Sequence, residues 1–333
     1  MQLDDNVLRS FRMARVFKPP IEDDLPSVNS IAFHRTHDLL VTASTDHGIR
    51  LYDTQHGIEA REGIYSRKYG VANICFAHDQ HSVIYSSTKV DQGLEAKANH
   101  AWRYHDIEAN RYIRYFEGHT GRVTTLCHSP KTDDVLSAGE DKQVRLWDLR
   151  SGLCTALLHA PGLPTVAWDE QGLVFCVGSE SGVVKLYDAR NYSAGPFVTF
   201  VVEQERNSNA VFASLRFSLD GQCLLAVVEG RIYALDAFKG DTLQQVSTGV
   251  PEGGTALEAC LTADGQYILS GCGDRHIRAW SVKRGIEVAN WKQHPDIPTC
   301  LKFSPRKMLV ASACKAVALW IPDVDELKMK QEV

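Results

Sequence analysis

His119, Ser137, Asp141 and Trp147 fall within one stretch, "GHTGRVTTLCHSPKTDDVLSAGEDKQVRLWD" (residues Gly118 to Asp148). A histidine and an aspartate together invite a catalytic reading, in which an imidazole moves a proton under the influence of a carboxylate. Two His-x-x-His pairs, His34/His37 and His78/His81, invite a second reading as metal ligands. Two ligands without a third make a weak site, so no metal is expected at either pair. The chain has no glycine-rich phosphate loop, no G-x-S-x-G and no H-E-x-x-H. No catalytic residue and no cofactor is therefore expected, and the His/Asp pair needs another explanation.

That explanation comes from the elements around it. An apolar stretch ending in an aromatic residue or leucine followed by aspartate recurs: "GIRLYD" at Asp53, "VRLWD" at Asp148, "VVKLYD" at Asp188 and "RIYALD" at Asp236. Weaker copies end at Asp106, Ser281 and Ile321, which makes seven spaced by 53, 42, 40, 48, 45 and 40 residues. A WD-repeat propeller blade takes about 40–45 residues. Within the best copy, "VTTLCHS" alternates, "PKTDD" is turn-rich, "VLSAG" is a short apolar run and "VRLW" follows a "GED" turn. The order is strand, turn, strand, turn, strand. A single four-stranded sheet cannot bury both of its faces, so seven must stack radially into one domain. The fold class is all-β, a seven-bladed WD-repeat β-propeller over residues 1–326, with 327–333 as a charged tail.

In such a repeat His119, Asp141, Ser137 and Trp147 occupy the positions of a buried hydrogen-bond chain from histidine through aspartate and serine to the indole N–H. The chain is predicted to be structural, because a buried polar network is tolerated only when satisfied. Other repeats keep parts of it: Thr42 and Asp46; Ser270, Asp274 and Trp280; His294, Ser312 and Trp320.

Each blade also needs a fourth strand after its Trp-Asp position. Candidates follow six repeats, among them "YIRYFEG", "LCTALL", "FVTFVV" and "IEVANW". After "AVALWIP" only "DVDELKMKQEV" remains, which has no β-type run. The N-terminal "LRSFRMARVF" (residues 8–17) carries Arg9, Arg12 and Arg15 among apolar residues and reads either as an amphipathic targeting helix or as a strand. A targeting helix is poor in acids, yet Asp4 and Asp5 stand directly before it. The segment is predicted to be the missing strand of the last blade, with its arginines on the solvent side.

Composition narrows the class further. The net charge is −5, with 44% hydrophobic and 23% charged residues, and no apolar run approaches the ~20 residues of a bilayer-spanning helix. Neither membrane insertion nor direct sequence-specific nucleic-acid binding is expected, since the latter needs a basic stripe. Nine cysteines, without a C-x-x-C pair, lie mostly in apolar runs, which points to a reducing compartment.

Function must then be read from loops. "YSRKYG" carries Arg67, Lys68 and Tyr69, and "NRYIRYFEGHTGR" carries Arg111, Arg114 and Arg122 among tyrosines. Arginine beside tyrosine suits phosphorylated or acidic peptides, and Arg67, Lys68, Tyr69, Arg111 and Arg114 form the candidate site on one face of the disc. "WDLRSG", with Asp148 and Arg150, resembles the W-D-x-R motif by which some propellers dock to the adaptor of cullin-four ubiquitin ligases. A substrate receptor of that kind is the alternative reading.

Several stretches together, "VLRSFRMARVF", "YSRKYGV", "YIRYFEGH", "IRLWDLRS", "VKLYDAR", "GPFVTF", "LDAFKG" and "SACKAVALWIP", resemble the WD-repeat protein eighty-two (Swd-two) family. The likeness runs from Val7 to Pro322 and departs from the family in a longer second repeat, around residues 90–101, and in the tail. It implies a nuclear scaffold, monomeric within a larger hetero-oligomer. The partners it implies are the catalytic subunit of a COMPASS-type histone lysine methyltransferase, a PNUTS-like protein phosphatase scaffold, and the phosphorylated C-terminal domain of RNA polymerase II.

Overall fold

Asx turns organise the chain locally. At five repeat ends an aspartate carboxylate accepts a backbone N–H two residues on: Asp53 from Gln55 (2.8 Å), Asp106 from Glu108 (2.9 Å), Asp148 from Arg150 (2.8 Å), Asp188 from Arg190 (2.8 Å) and Asp236 from Phe238 (2.8 Å). The side chain substitutes for a backbone acceptor and reverses the strand. One glycine beside these turns is irreplaceable: Gly240 has φ +76°, and a Cβ there would stand 2.1 Å from the Phe200 ring of the neighbouring blade.

A computed structural model describes residues 3–18, 26–90, 96–179, 182–202, 211–228, 230–249, 257–292 and 294–331. Residues 91–95 of the long second repeat lie outside the described residues, and a short helix, Ala96–Asn99, follows them. Among the described residues the strands form seven four-stranded antiparallel sheets, the blades. Blade 1 comprises Val28–Phe33, Leu39–Ser44, Gly48–Asp53 and Ile58–Tyr65. Blade 2 comprises Ala72–Phe76, Ser82–Ser86, Trp102–Asp106 and Arg111–Phe116. Blade 3 comprises Val123–His128, Asp134–Gly139, Gln143–Asp148 and Cys154–His159. Blades 4 and 5 begin at Thr165 and Phe212, and blade 6 at Ala259; each is a meander of the same order.

Among the described residues seven apolar clusters hold the ring, one at each seam between neighbours. Leu136, Val144 and Leu146 of blade 3, for example, pack on Val166, Phe175 and Val177 of blade 4. Val28, Ile31 and Leu40 of blade 1 pack on Cys300, Ala311 and Leu319 of blade 7, so the last seam is filled like the others. All nine cysteines are free thiols, and Cys154 is the exposed one. No described helix is long and apolar enough to cross a membrane.

Blade 7 (Cys300–Phe303, Val310–Ala313, Val317–Pro322) has its outer strand supplied by β1, Phe11–Phe17, which runs antiparallel to Val317–Pro322. The expected closing strand of residues 8–17 is thus shorter at its start. Leu8 and Arg9 belong to a helix, α1 (Asp5–Arg9), whose N-cap Asp4 accepts from Val7 N at 2.8 Å. The cap satisfies a helix-terminal N–H that a strand would not have offered in this way. The two acids before this segment are structural: Asp4 caps the helix, and Asp5 pairs with Arg284 of blade 6 at 2.5 Å.

The helix and strand tie blade 6 to blade 7. Val7, Leu8 and Phe11 are buried, Trp291 Nε1 donates to Leu8 O at 2.8 Å, and the Phe11 ring stacks on Trp291 with centroids 4.8 Å apart. Arg9, Arg12 and Arg15 are exposed, and Arg12 pairs with Glu326 at 2.6 Å. Glu326 lies on a C-terminal helix, Val324–Gln331, whose Leu327 is buried against the same seam. The boundary drawn at residue 326 therefore falls inside a helix that packs on the ring.

Truncating Phe11 leaves a cavity against Trp291. Phe11→Ala is expected to cost about 3–5 kcal/mol in urea denaturation, whereas Arg12→Ala, at an exposed ion pair, changes stability by less than about 1 kcal/mol.

Candidate functional site

Polar side chains gather inside the blades and on the face between blades 1 and 2. In blade 3 the His119 ring bridges Asp141 (Nδ1 to Oδ2, 2.9 Å) and Ser137 (Nε2 to Oγ, 2.7 Å), and Trp147 Nε1 donates to Ser137 Oγ at 2.8 Å. His119, Ser137 and Trp147 are buried. Burial lowers the His119 pKa and outweighs the opposing pull of Asp141, so the ring is a neutral strut. Asp141 also accepts from Gln143 N at 3.3 Å, and Lys142 between them takes φ +62°.

The same turn recurs with different partners. Asp46 and Asp274 accept from Gly48 N (2.9 Å) and His276 N (3.2 Å), around His47 (φ +66°) and Arg275 (φ +68°). Where histidine is missing, an arginine four residues on takes its place: Arg50 pairs with Asp46 at 2.6 Å, and Arg278 pairs with Asp274. In blade 7, Trp320 Nε1 still donates to Ser312 Oγ at 2.8 Å, while His294 turns to Asp296 O at 2.6 Å.

The basic–aromatic surface is built on the connection from blade 1 to blade 2. Ser66 O accepts from Gly70 N at 2.8 Å, and Tyr69 O accepts from Thr88 N (3.0 Å) and Lys89 N (2.9 Å), which pins the loop onto blade 2. Only glycine fits at position 70, because a Cβ there would meet Thr88 Oγ1 at 1.8 Å. Tyr69 lies edge-on to Tyr112 (6.0 Å) and Tyr115 (6.1 Å). Arg67 lies 5.4 Å from the Tyr65 ring and Lys68 Nζ 5.2 Å from the Tyr69 ring. Both cations are exposed, and among the described residues no carboxylate stands within ion-pair distance of either.

Beneath this surface sits Arg103, on the third strand of blade 2. It is 1% exposed, and its guanidinium lies 3.5 Å from the Tyr69 ring centroid and 5.5 Å from that of Tyr115. Its Nη1 donates to Ala101 O at 3.0 Å and to Ser87 Oγ, while Nε has no partner among the described residues. Burial pulls its pKa below the ordinary value, opposed by the surrounding tyrosines. The aromatic faces thus do the work of a counter-ion, a contact of about 2 kcal/mol when desolvated. Sequence reasoning missed Arg103; the signal was an arginine at an inward position of "AWRYHD", beside the buried Trp102.

Arg111 and Arg114 do not join this surface. Side chains alternate along a strand, and opposite Tyr104–His105 the outer strand of blade 2 has a register shift. Tyr112 is thereby set into the seam with blade 1, and Tyr115 lies opposite Arg103. Arg114 lies opposite Tyr104 and packs on Gly152 of blade 3, where a Cβ would stand 2.2 Å from its Nη1. Arg111 is exposed at the far end of the strand, opposite Asp106. Of the five residues expected on one face, the fold brings Arg67, Lys68 and Tyr69 together, beside Tyr65, Tyr115 and Arg103, and leaves Arg111 and Arg114 apart from them.

At the alternative site, the Arg150 backbone N–H holds the Asp148 carboxyl below the usual carboxylate range. Asp148 is first a turn former. The Arg150 side chain is 80% exposed, 3.4 Å from Asp133 and 3.7 Å from Asp148. A cleft at the ends of the inner strands of blades 5–7 includes Arg216, Ser218, Thr262 and Lys302. Arg216 and Lys302 are both paired with Glu258, Arg216 at 2.5 Å, and the Ser218 and Thr262 hydroxyls close turns by donating to Asp220 and Asp264 (2.5 Å each).

Seven meandering four-stranded blades, Asx turns at repeat ends and a His–Ser–Trp strut define a WD-repeat β-propeller. In agreement, the sequence profile of the family described as WD domain, G-beta repeat matches residues 21–53, 110–148 and 255–281. The chain is 40% identical to Protein ANTHESIS POMOTING FACTOR 1 of Arabidopsis thaliana, over 98% of this chain and 95% of that one. It is 39% identical to WD repeat-containing protein 82 of Drosophila melanogaster (98% and 99%) and 28% identical to COMPASS component SWD2 of Saccharomyces cerevisiae (95% and 97%). The chain belongs to the WD repeat-containing protein 82/Swd2 family.

Two outcomes are expected of the internal struts. Ser137→Ala strands the Trp147 indole N–H and the His119 Nε2 acceptor and costs about 1–3 kcal/mol in urea denaturation. Burial holds His34, His105, His119 and His294 below the ordinary histidine value of 6.5, so below that pH the unfolded chain takes up protons that the folded one refuses. Stability from this source is complete above pH 6.5 and falls as pH drops through it; the urea midpoint is lower at about pH 5 than at about pH 7.5.

Proposed function

We propose that this propeller is a non-catalytic adaptor of nuclear chromatin and transcription complexes. It serves a COMPASS-type histone lysine methyltransferase, a PNUTS–phosphatase assembly, or both, and holds them near the phosphorylated C-terminal domain of RNA polymerase II. The observation that carries the reading is the likeness to the family over nearly the whole chain, COMPASS component SWD2 included. Exposed Arg67 and Lys68, set against tyrosine faces with no carboxylate beside them among the described residues, support the phosphopeptide part. A phosphate there gains charge-assisted hydrogen bonds without first breaking an ion pair. Docking of a cullin-four adaptor through Asp148 and Arg150 is the weaker reading, because Asp148 is already committed to its turn.

Affinity purification of the tagged chain, with partners identified by mass, tests the assembly; recovery of a cullin-four adaptor without methyltransferase or phosphatase subunits would sink it. For the peptide site, each charged hydrogen bond contributes about 1.5–3 kcal/mol. Arg67→Glu with Lys68→Glu is therefore expected to weaken binding of a phosphorylated polymerase-tail peptide by roughly tenfold or more in a titration. Arg111→Glu with Arg114→Glu changes it less; the reverse order would move the site to the other side of blade 2.

A further inference from the structure

Three side chains that sequence spacing does not connect converge where blade 2 meets blade 3. His78 lies in the first turn of blade 2, His128 ends the innermost strand of blade 3, and Asp133 lies in the turn that follows it. The two imidazoles stand edge to face with ring centroids 4.4 Å apart. One ring nitrogen of each histidine and a carboxylate oxygen of Asp133 all lie within 4.8 Å of one another. His81, the partner that spacing offered His78, turns instead to Glu108 at 3.1 Å. His34, of the other pair, uses its Nδ1 to accept from the Thr36 and His37 backbone N–H groups, at 3.1 Å each.

The groups are set for ligation. His128 Nε2 is sealed from solvent without a hydrogen-bond partner among the described residues, an unfavourable state until something satisfies it. His78 Nε2 lies 3.0 Å from Thr132 O, a contact that ligation through this nitrogen replaces. Asp133 turns Oδ1 toward His78 Nε2 at 3.9 Å, while its Oδ2 lies 3.4 Å from Arg150 Nε.

We propose that His78, His128 and Asp133 form a transition-metal site, matched to Zn²⁺, that clamps blade 2 to blade 3. Two imidazoles and one carboxylate are a zinc donor set with the fourth position left to water, whereas Mg²⁺ and Ca²⁺ call for oxygen ligands throughout. In a tetrahedral site with bonds of about 2.0–2.2 Å the ligand atoms stand about 3.4 Å apart. Small rotations of His78 and Asp133 close that distance. Both are partly exposed, at 40% and 38%, which also gives the ion its way in.

The test is calorimetric titration of the full chain in a Cys154→Ser background, which removes the exposed thiol as a competing ligand. The expected result is one Zn²⁺ per chain with a raised Tm, a tetrahedral visible spectrum with Co²⁺, and no comparable binding of Mg²⁺ or Ca²⁺. His78→Ala and Asp133→Asn, both at surface positions, each weaken Zn²⁺ binding by roughly tenfold or more while leaving the metal-free Tm unchanged. His81→Ala leaves binding intact. No saturable Zn²⁺ binding, or binding that survives both substitutions, overturns the site.

Discussion

Ring closure is the constraint on which everything else rests. Each blade is a sheet with two faces that only its neighbours cover, so every seam must be filled or two apolar faces meet water. The seam between blades 6 and 7 is the one that the chain cannot fill by simple succession, because β1 comes from the opposite end of the sequence. Pairing Phe11–Phe17 with Val317–Pro322 completes the last sheet and covers an edge that would otherwise template association. The Phe11 ring stacked on Trp291 and the Trp291 N–H on Leu8 O make the same segment a wedge into blade 6. One short stretch thereby locks two blades, and the seven seams become mutually dependent.

Within the closed ring, polar groups are spent on geometry. The aspartate at five repeat ends is an Asx-turn acceptor, and the aspartate between the second and third strands accepts from the backbone two residues on. Three blades then brace that second aspartate differently, with His119, Arg50 or Arg278. The substitution works because the turn fixes the carboxylate and any nearby donor can meet it. A motif that looks incomplete in sequence is therefore complete in space.

The surface between blades 1 and 2 follows another logic. Arg103 is buried against Tyr69 and Tyr115 rather than against an acid, so its charge is retained close under a face that already carries Arg67 and Lys68. Cations stacked on rings keep their affinity for an incoming anion, since no carboxylate must be displaced. Arg111 and Arg114, adjacent to this cluster in sequence, are removed from it by strand alternation and a shifted register.

Read alone, the sequence determined the repeat, the number of blades, the buried strut of blade 3 and the need for an N-terminal closing strand. These features recur along the chain or are missing from it, and periodic apolar runs with turn residues between them are local signals. Tertiary structure decided the rest. Whether Leu8 continues the strand or ends a helix depended on Trp291, more than 280 residues away. Whether Arg114 sides with Tyr69 or with Gly152 depended on a one-residue shift of register. That Arg103 lies beneath the basic loop, and that His78 meets His128 and Asp133 rather than His81, depended on which blades became neighbours. Contacts across a seam carry no spacing in the chain, and only closing the ring brings their partners together.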